Sequence, residues 1–284
     1  MPALRSALDL IIFDNHNPPA HTSTMTYKLI HFERLGPQGQ VALVRLARPS
    51  KRNALSDALV AEIRHCFENL PEDVRAAVID GEGEHFCAGL DLSELQERDA
   101  GQGLHHSRSW HVALDRVQMG PVPVIAALHG AVVGGGLELA SACHIRVADA
   151  STFYALPEGS RGIFVGGGGS VRIPKLIGVA RMTDMMLTGR VYNAQDGERI
   201  GLAQYLVPAG ESPAKAIELA LRVAENAPLT NYALMHALPR IAEQPADHGF
   251  LTESMMAAIA QSAPEAKQRV RDFLEGKAAK VRQT

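Results

Sequence analysis

Short apolar runs alternate with amphipathic segments along most of this chain. Tyr27–Phe32, Val41–Leu46, Ala76–Asp80 and Val122–Leu128 are strand-like. Between the second and third, Leu59, Ile63, Phe67 and Leu70 recur at helical spacing, and Ser56 or Asp57 can cap that helix. Leu104 to Met119 predicts another amphipathic helix. A third helix is expected to begin in the glycines before Leu137, with a strand at His144–Val147 after it. This alternation predicts an α/β fold: a buried, mostly parallel sheet with helical crossovers. Past about residue 190 the strand signal fades, and segments 212–226, 228–243, 249–262 and 264–276 are helical in pattern. Their Ala-, Leu- and Met-rich faces, with Met235, Leu238, Ile241, Met255 and Met256, are expected to dock on a neighbouring subunit rather than on a core of their own. The first 24 residues differ in kind. Asp14–Pro19 and His21–Thr24 are turn and coil chemistry, and the apolar run Leu8–Phe13 is short and interrupted by Asp9. The expected organisation is an N-terminal extension (1–24), a core (25–210) and a helical region (211–284).

Composition narrows this picture mainly by exclusion. The chain has 284 residues, with 28 Lys+Arg against 31 Asp+Glu and a net charge of −3. That balance argues against a protein that grips nucleic acid or an anionic membrane surface. Hydrophobic residues at 46% and charged residues at 21% are ordinary globular values, so disorder over most of the chain is excluded. No apolar run approaches the 18 or so residues of a membrane span. Cys66, Cys87 and Cys143 are odd in number and lack CxxC spacing, so they read as reduced thiols of a cytoplasmic protein.

Familiar cofactor motifs are missing. There is no GxxxxGK[ST], no GxGxxG after a strand, no GxSxG and no HExxH, and the twelve histidines show no metal-ligand pattern. His105, His106 and His111 fall on a polar helical stretch and read as solvated surface. Gly166–Gly169 lacks the lysine of a phosphate loop; it reads as a tight turn that lets a helix approach another backbone. Two other segments are more specific. His85–Leu92 follows the strand ending near Asp80, and Leu128–Ala140 follows the strand ending near Leu128. Each runs from a strand through small residues into a helix start, which leaves backbone N–H groups free at the positive end of a helix. Together they could form a two-donor oxyanion hole. Separately, each could be plain turn chemistry.

These segments, together with Arg48–Leu55, Phe153–Glu158, Leu187–Arg190 and Gly201–Val207, resemble the crotonase (enoyl-CoA hydratase/isomerase) superfamily from about Tyr27 to Lys280. The resemblance implies a crotonase-like ββα spiral core with a helical C-terminal region that mediates trimers, paired into hexamers. It implies that the N–H groups of Leu90 and Gly135 receive the thioester oxygen. It also implies that Ala54, Leu55 and the segment Ala88, Gly89, Leu90, Asp91, Leu92 hold coenzyme A, largely through backbone. Lys51 and Arg52 are suited to its phosphates, or are solvated surface charges. Glu138 and Glu158 match the two glutamates with which hydratases hold and activate water.

Two carboxylates suit hydration, which needs oxygen at the β carbon and a proton at the α carbon. Both would crowd one water, so their titrations would be coupled. The expected reaction is therefore reversible syn hydration of a 2-enoyl-CoA in fatty acid metabolism. Neither a metal nor a permanently bound cofactor is expected, with coenzyme A entering as part of the substrate. Double-bond isomerisation, acyl-CoA hydrolysis and non-catalytic acyl-CoA binding are the rivals. Three departures from the family pattern bear on the acyl substrate. Val165 stands where proline is frequent. Arg161 follows Pro157-Glu158 and could reach the pocket or face water. A lysine is displaced to Lys277 in Phe273–Lys277. The segment Ser93–Gln118, with Trp110, His111 and Leu114, is expected to line the acyl pocket.

Overall fold

The computed structural model describes residues 27–94 and 97–277. The expectation for residues 1–24 lies outside the described residues.

Six strands form the main sheet in the order β1-β2-β3-β4-β6-β9. They are β1 (Ile30–Leu35), β2 (Val41–Leu46), β3 (Ala76–Gly81), β4 (Val124–Leu128), β6 (Ile145–Asp149) and β9 (Tyr205–Val207). Only β1 runs antiparallel to its neighbour. Every residue of β3 and β4 is buried, as continuous apolar runs between two helical layers must be. A second sheet holds β5 (Ala131–Val133), β7 (Phe153–Ala155) and β8 (Tyr192–Asn193). Two isolated parallel bridges, Cys87 to Val132 and Leu55 to Leu90, continue the same arrangement beyond it.

The chain thus repeats one motion four times: a strand in the main sheet, a short extended piece beside the second sheet, then a helix. The helices that close these turns are α1 (Asp57–Glu68), α2 (Ala100–Gln118), α3 (Gly135–Ala142) and α4 (Gly169–Ile177). This is the ββα spiral. Ser56 caps α1 by accepting from the Leu59 N–H at 3.1 Å, a contact of the kind worth about 1 kcal/mol. The buried face of α1 carries Leu59, Ile63 and Phe67 as the spacing predicts. Helix α2 begins at Ala100, about one turn before the apolar pattern shows, because Asp99 and Gln102 form a reciprocal capping box.

After α5 (Val179–Thr188) and α6 (Ala194–Ile200) the chain enters its helical third. Here two expectations need correction. Strands do not stop at residue 190: β8 and β9 follow it, too short for periodicity to reveal. The helix α7 (Ser212–Ala224) does not wait for a neighbour either. Ala216, Leu219 and Ala220 are buried against Val41, Leu43, Val78, Ile125 and Val147, so α7 covers the outer face of this chain's own sheet. A core that a sheet leaves uncovered on one face takes the nearest apolar helix in its own chain. Beyond it lie α8 (Pro228–Tyr232), a π-helical turn (Ala233–Ala237), α9 (Leu238–Ile241), α10 (Ala246–Ser262) and α11 (Pro264–Leu274). These carry exposed Leu238, Phe250, Leu251, Met255 and Phe273, whereas Met235 is buried within the chain. Among the described residues no helix is long and apolar enough to cross a membrane.

Candidate active site

The site is assembled where three strand-to-helix connections meet. The segment after β3 is laced on both sides by backbone. Phe86 and Cys87 donate to His129 and Ala131, and Val133 donates back to Cys87. On the other side Leu55 donates to Gly89 at 2.7 Å and Asp91 donates to Leu55 at 2.9 Å. Held this way, the Leu90 N–H is turned away from both partners. The Gly135 N–H opens α3 and has no intrahelical acceptor, as the first residues of a helix do not. Among the described residues neither N–H donates to a protein acceptor. They lie close together: a Cβ on Gly135 would stand 3.5 Å from the Leu90 nitrogen. Gly89, at φ +91, leaves room for this approach, since a Cβ there would meet the Val133 carbonyl at 2.6 Å. Two converging, unused donors at a helix N-terminus suit a developing oxyanion.

Glu138 sits one turn into α3 and is 3% exposed; Glu158, on the loop after β7, is 6% exposed. Burial raises both above the ordinary glutamate range, and the charge of Glu138 pushes Glu158 further up. Their hydrogen-bond surroundings are opposite. One oxygen of Glu138, Oε1, accepts the backbone N–H groups of Gly167 and Gly169, both at 2.8 Å. The Arg172 guanidinium adds positive charge nearby. The Oε2 of Glu158 finds no hydrogen-bond partner among the described residues. Its Oε1 lies over Gly134, where a Cβ would come within 2.7 Å. Of the two carboxyls, Glu138 is therefore the one better supported as an anion, and Glu158 the one less supported.

The glycine run at 166–169 therefore does more than admit a helix. It is the cup for the Glu138 carboxylate at the N-terminus of α4, and a Cβ on Gly169 would meet the Glu138 Cγ at 2.7 Å. The sequence reading recognised the turn and missed its occupant. The available signal was a run of small residues opening a helix, a ready anion site whose anion here belongs to the chain itself.

The other predicted residues fall around this centre. Trp110 is buried on α2 and donates its ring N–H to Asp57 at 2.9 Å; its Cζ3 would be 3.6 Å from a Gly135 Cβ. Leu114 is buried, with Cδ1 3.1 Å from the Cβ position of Gly167. His111 faces Ser107, whose hydroxyl donates to the Gly166 carbonyl at 2.7 Å. Helix α2 thus roofs the site, while residues 95–96 of the expected lining lie outside the described residues. Lys51 and Arg52 are exposed at the rim, with Lys51 Nζ 3.2 Å from Ser93 Oγ. Ala54 and Leu55 lie alongside Ala88–Leu92. The Asp91 side chain turns inward: Arg48 donates to it at 2.8 Å, and the Ser93 N–H and hydroxyl donate to its other oxygen. Arg48 also donates to the Ala54 carbonyl, so this arginine, which carries no predicted role, pins the two segments together. Arg161 is exposed. A cavity of about 1040 Å³ lies behind the C-terminal end of α3, bordered by Cys143, His144, Met235 and Arg172, and does not include the two glutamates. The three cysteines are buried and unpaired, and burial pushes each thiol up to about 12. No group of His, Cys, Asp or Glu that could hold a metal occurs among the described residues.

Known proteins share this architecture. A solved structure from Rhodopseudomonas palustris, provisionally described as an enoyl-CoA hydratase, is similar with a TM-score of 0.85 and 60% identity. That match covers 89% of this chain and 97% of the other. The chain is 31% identical over 240 residues to the 2,3-dehydroadipyl-CoA hydratase of Escherichia coli, covering 84% of this chain and 93% of that protein. It is 32% identical over 270 residues to the mitochondrial enoyl-CoA hydratase domain-containing protein 2 of Mus musculus, covering 92% and 88%. Residues 36–284 match the family described as enoyl-CoA hydratase/isomerase. On fold, motif and overall similarity together, this chain belongs to the enoyl-CoA hydratase/isomerase family.

Proposed function

We propose that this protein adds water reversibly across the conjugated double bond of a 2-enoyl-CoA thioester. The observation that carries the reading is the pair of buried carboxyls at the two unused N–H groups, one cradled by two backbone donors and one with an oxygen left unpartnered. Leu90 and Gly135 would receive the thioester oxygen as it gains negative charge; each such donor is typically worth about 3–4 kcal/mol. Ionised Glu138 would take a proton from a water held between the carboxyls while that oxygen bonds to the β carbon. The electron pair of the double bond moves toward the thioester. Protonated Glu158 would then give its proton to the α carbon, and exchange between the two carboxyls through water restores the starting state. Coenzyme A would lie along Ala54–Leu55 and Ala88–Leu92, with Lys51 and Arg52 at its phosphates.

A double-bond isomerase needs only one proton shuttle, and a binding protein needs none. The dedicated cup around Glu138 has no purpose in either, which favours hydration. Purified protein given crotonyl-CoA should lower the absorbance of the conjugated thioester to an equilibrium level. If that absorbance persists while a 3-enoyl-CoA is converted to the conjugated ester, the reaction is isomerisation. The three buried, unpaired thiols fit the reducing cytoplasm in which this reading places the protein.

We also propose that the protein assembles in threes, because Leu238, Phe250, Leu251, Met255 and Phe273 leave apolar surface on the last helices. Light scattering should give a mass that is a multiple of three chains. A monomer at micromolar concentration would overturn the assembly.

A further inference from the structure

The turn that cradles Glu138 is built of four glycines, the residues that lose most freedom on folding, so something must hold it in shape. Arg172, three residues into α4, reaches back over it. Its Nη1 donates to the Gly167 carbonyl at 2.9 Å. Its backbone N–H donates to the Gly168 carbonyl at 3.2 Å, which belongs to the same peptide unit as the Gly169 N–H. The remaining guanidinium edges bind α2: Nε donates to Gln118 Oε1 at 2.6 Å and Nη2 to Asp115 Oδ1 at 2.5 Å. Gly168, at φ +97, leaves the space this needs, because a Cβ there would stand 2.2 Å from Nη1.

We propose that Arg172 is a positioning residue for Glu138: it clamps the carbonyls of the glycine cup, faces the carboxylate with positive charge, and ties the cup to the helix roofing the site. The proposal rests on the two-carboxylate reading of the reaction. Arg172 does not touch substrate and acts through Glu138. The geometry suits arginine specifically, since a planar fork reaches three acceptors at once and an ammonium cannot. The side chain is 7% exposed, so its charge is weakly screened. Glu158 from the loop after β7, Asp115 from α2 and the Cys143 thiol just after α3 surround this pair, with His111 beyond Ser107, and Arg108, His144, Arg146 and Lys175 line the cavity beside Arg172. Cys143 stays neutral at working pH, and Asp115 is half exposed, so Arg172 supplies the dominant positive charge beside the Glu138 carboxylate.

Arg172→Gln should lower kcat by about 10- to 100-fold and leave KM within about threefold, because a transition-state group is misplaced while the thioester contacts remain. The acidic limb of the pH–rate profile should move up by about one unit. Arg172→Lys should return that limb to its wild-type position but restore kcat only in part. In a Glu138→Gln background, Arg172→Gln should cost less than about twofold. A limb that does not move, or a full penalty in that background, would overturn the proposal as a merely structural effect. Should Arg172→Gln fail to fold, wild-type kcat in Arg172→Lys overturns it and reduced kcat with an unmoved limb supports it. The carbon-13 titration of the Glu138 carboxyl, identified by its loss in Glu138→Gln, needs no substrate. If no enoyl-CoA is hydrated, the reaction reading fails by itself; an upward titration shift on Arg172→Gln still supports the clamp, and no shift overturns it.

Discussion

Glutamine at either Glu138 or Glu158 should cut turnover by roughly 10²–10⁴, the usual contribution of a positioned acid–base group. The amide keeps the shape of the carboxyl, so substrate should still bind. On the proposed mechanism both groups act on one water, so the double variant should lose far less than the product of the two single losses. Steady-state kinetics of the three variants decide it. A hydratase rate left intact by Glu138→Gln would refute the two-carboxylate mechanism and move the protein to the isomerase branch. The same variants should be more stable than the parent at neutral pH. Both native carboxyls titrate above the ordinary glutamate value of 4.5, so keeping them ionised costs folding energy. That cost is absent below the unfolded value, grows as pH rises from there toward the raised folded values, and is constant above them. The gain in Tm should accordingly vanish when the comparison is made below about pH 4. A site optimised for stability would have no such buried pair.

Alanine at Gly136 should damage stability and turnover together. Intrinsic propensity favours alanine in a helix by about 1 kcal/mol. Here the new Cβ would stand 2.2 Å from the Cys87 carbonyl oxygen, and neither backbone is free to yield. That carbonyl already accepts the Val133 N–H at 3.1 Å, the contact that sets the spacing between the two donor segments. Relief requires α3 to shift, which carries the Gly135 N–H away from Leu90. Overpacking of this kind costs about 3 kcal/mol. For a domain of this size that is a fall of roughly 6–12 °C in Tm. Loss of one oxyanion donor should reduce kcat by about 10²–10³. Thermal melts and kinetics on one preparation test both; an unchanged Tm would mean that the close approach of α3 to Cys87 is relaxed in solution.

Much of this molecule is legible in one dimension. The apolar runs of β2, β3 and β4, the stripe of α1 and a cap at Ser56 or Asp57 are local signals with a fixed period or a fixed offset; the structure chose Ser56. The glycine-rich connection before α3 was legible too, because a strand followed by small residues and a helix start exposes N–H groups by construction; at Leu90 that expectation needs correction, since α2 starts only at Ala100 and the bonds of Gly89 and Asp91 to Leu55 leave its N–H free. Glu138 and Glu158 were readable as a pair only through the resemblance to a known family, since no spacing rule brings residues 20 positions apart within reach of each other's charge. Tertiary structure alone decided the rest. It gave α7 to this chain's own sheet, because covering an apolar face depends on which surface is left bare. It also put the Glu138 carboxylate into the Gly167–Gly169 cup, Arg172 over that cup and Arg48 between Ala54 and Asp91. Those contacts join residues 29 to 57 positions apart or sit in irregular turns. A sequence pattern records what each segment buries, and the partner of a buried charge is fixed only when the segments meet.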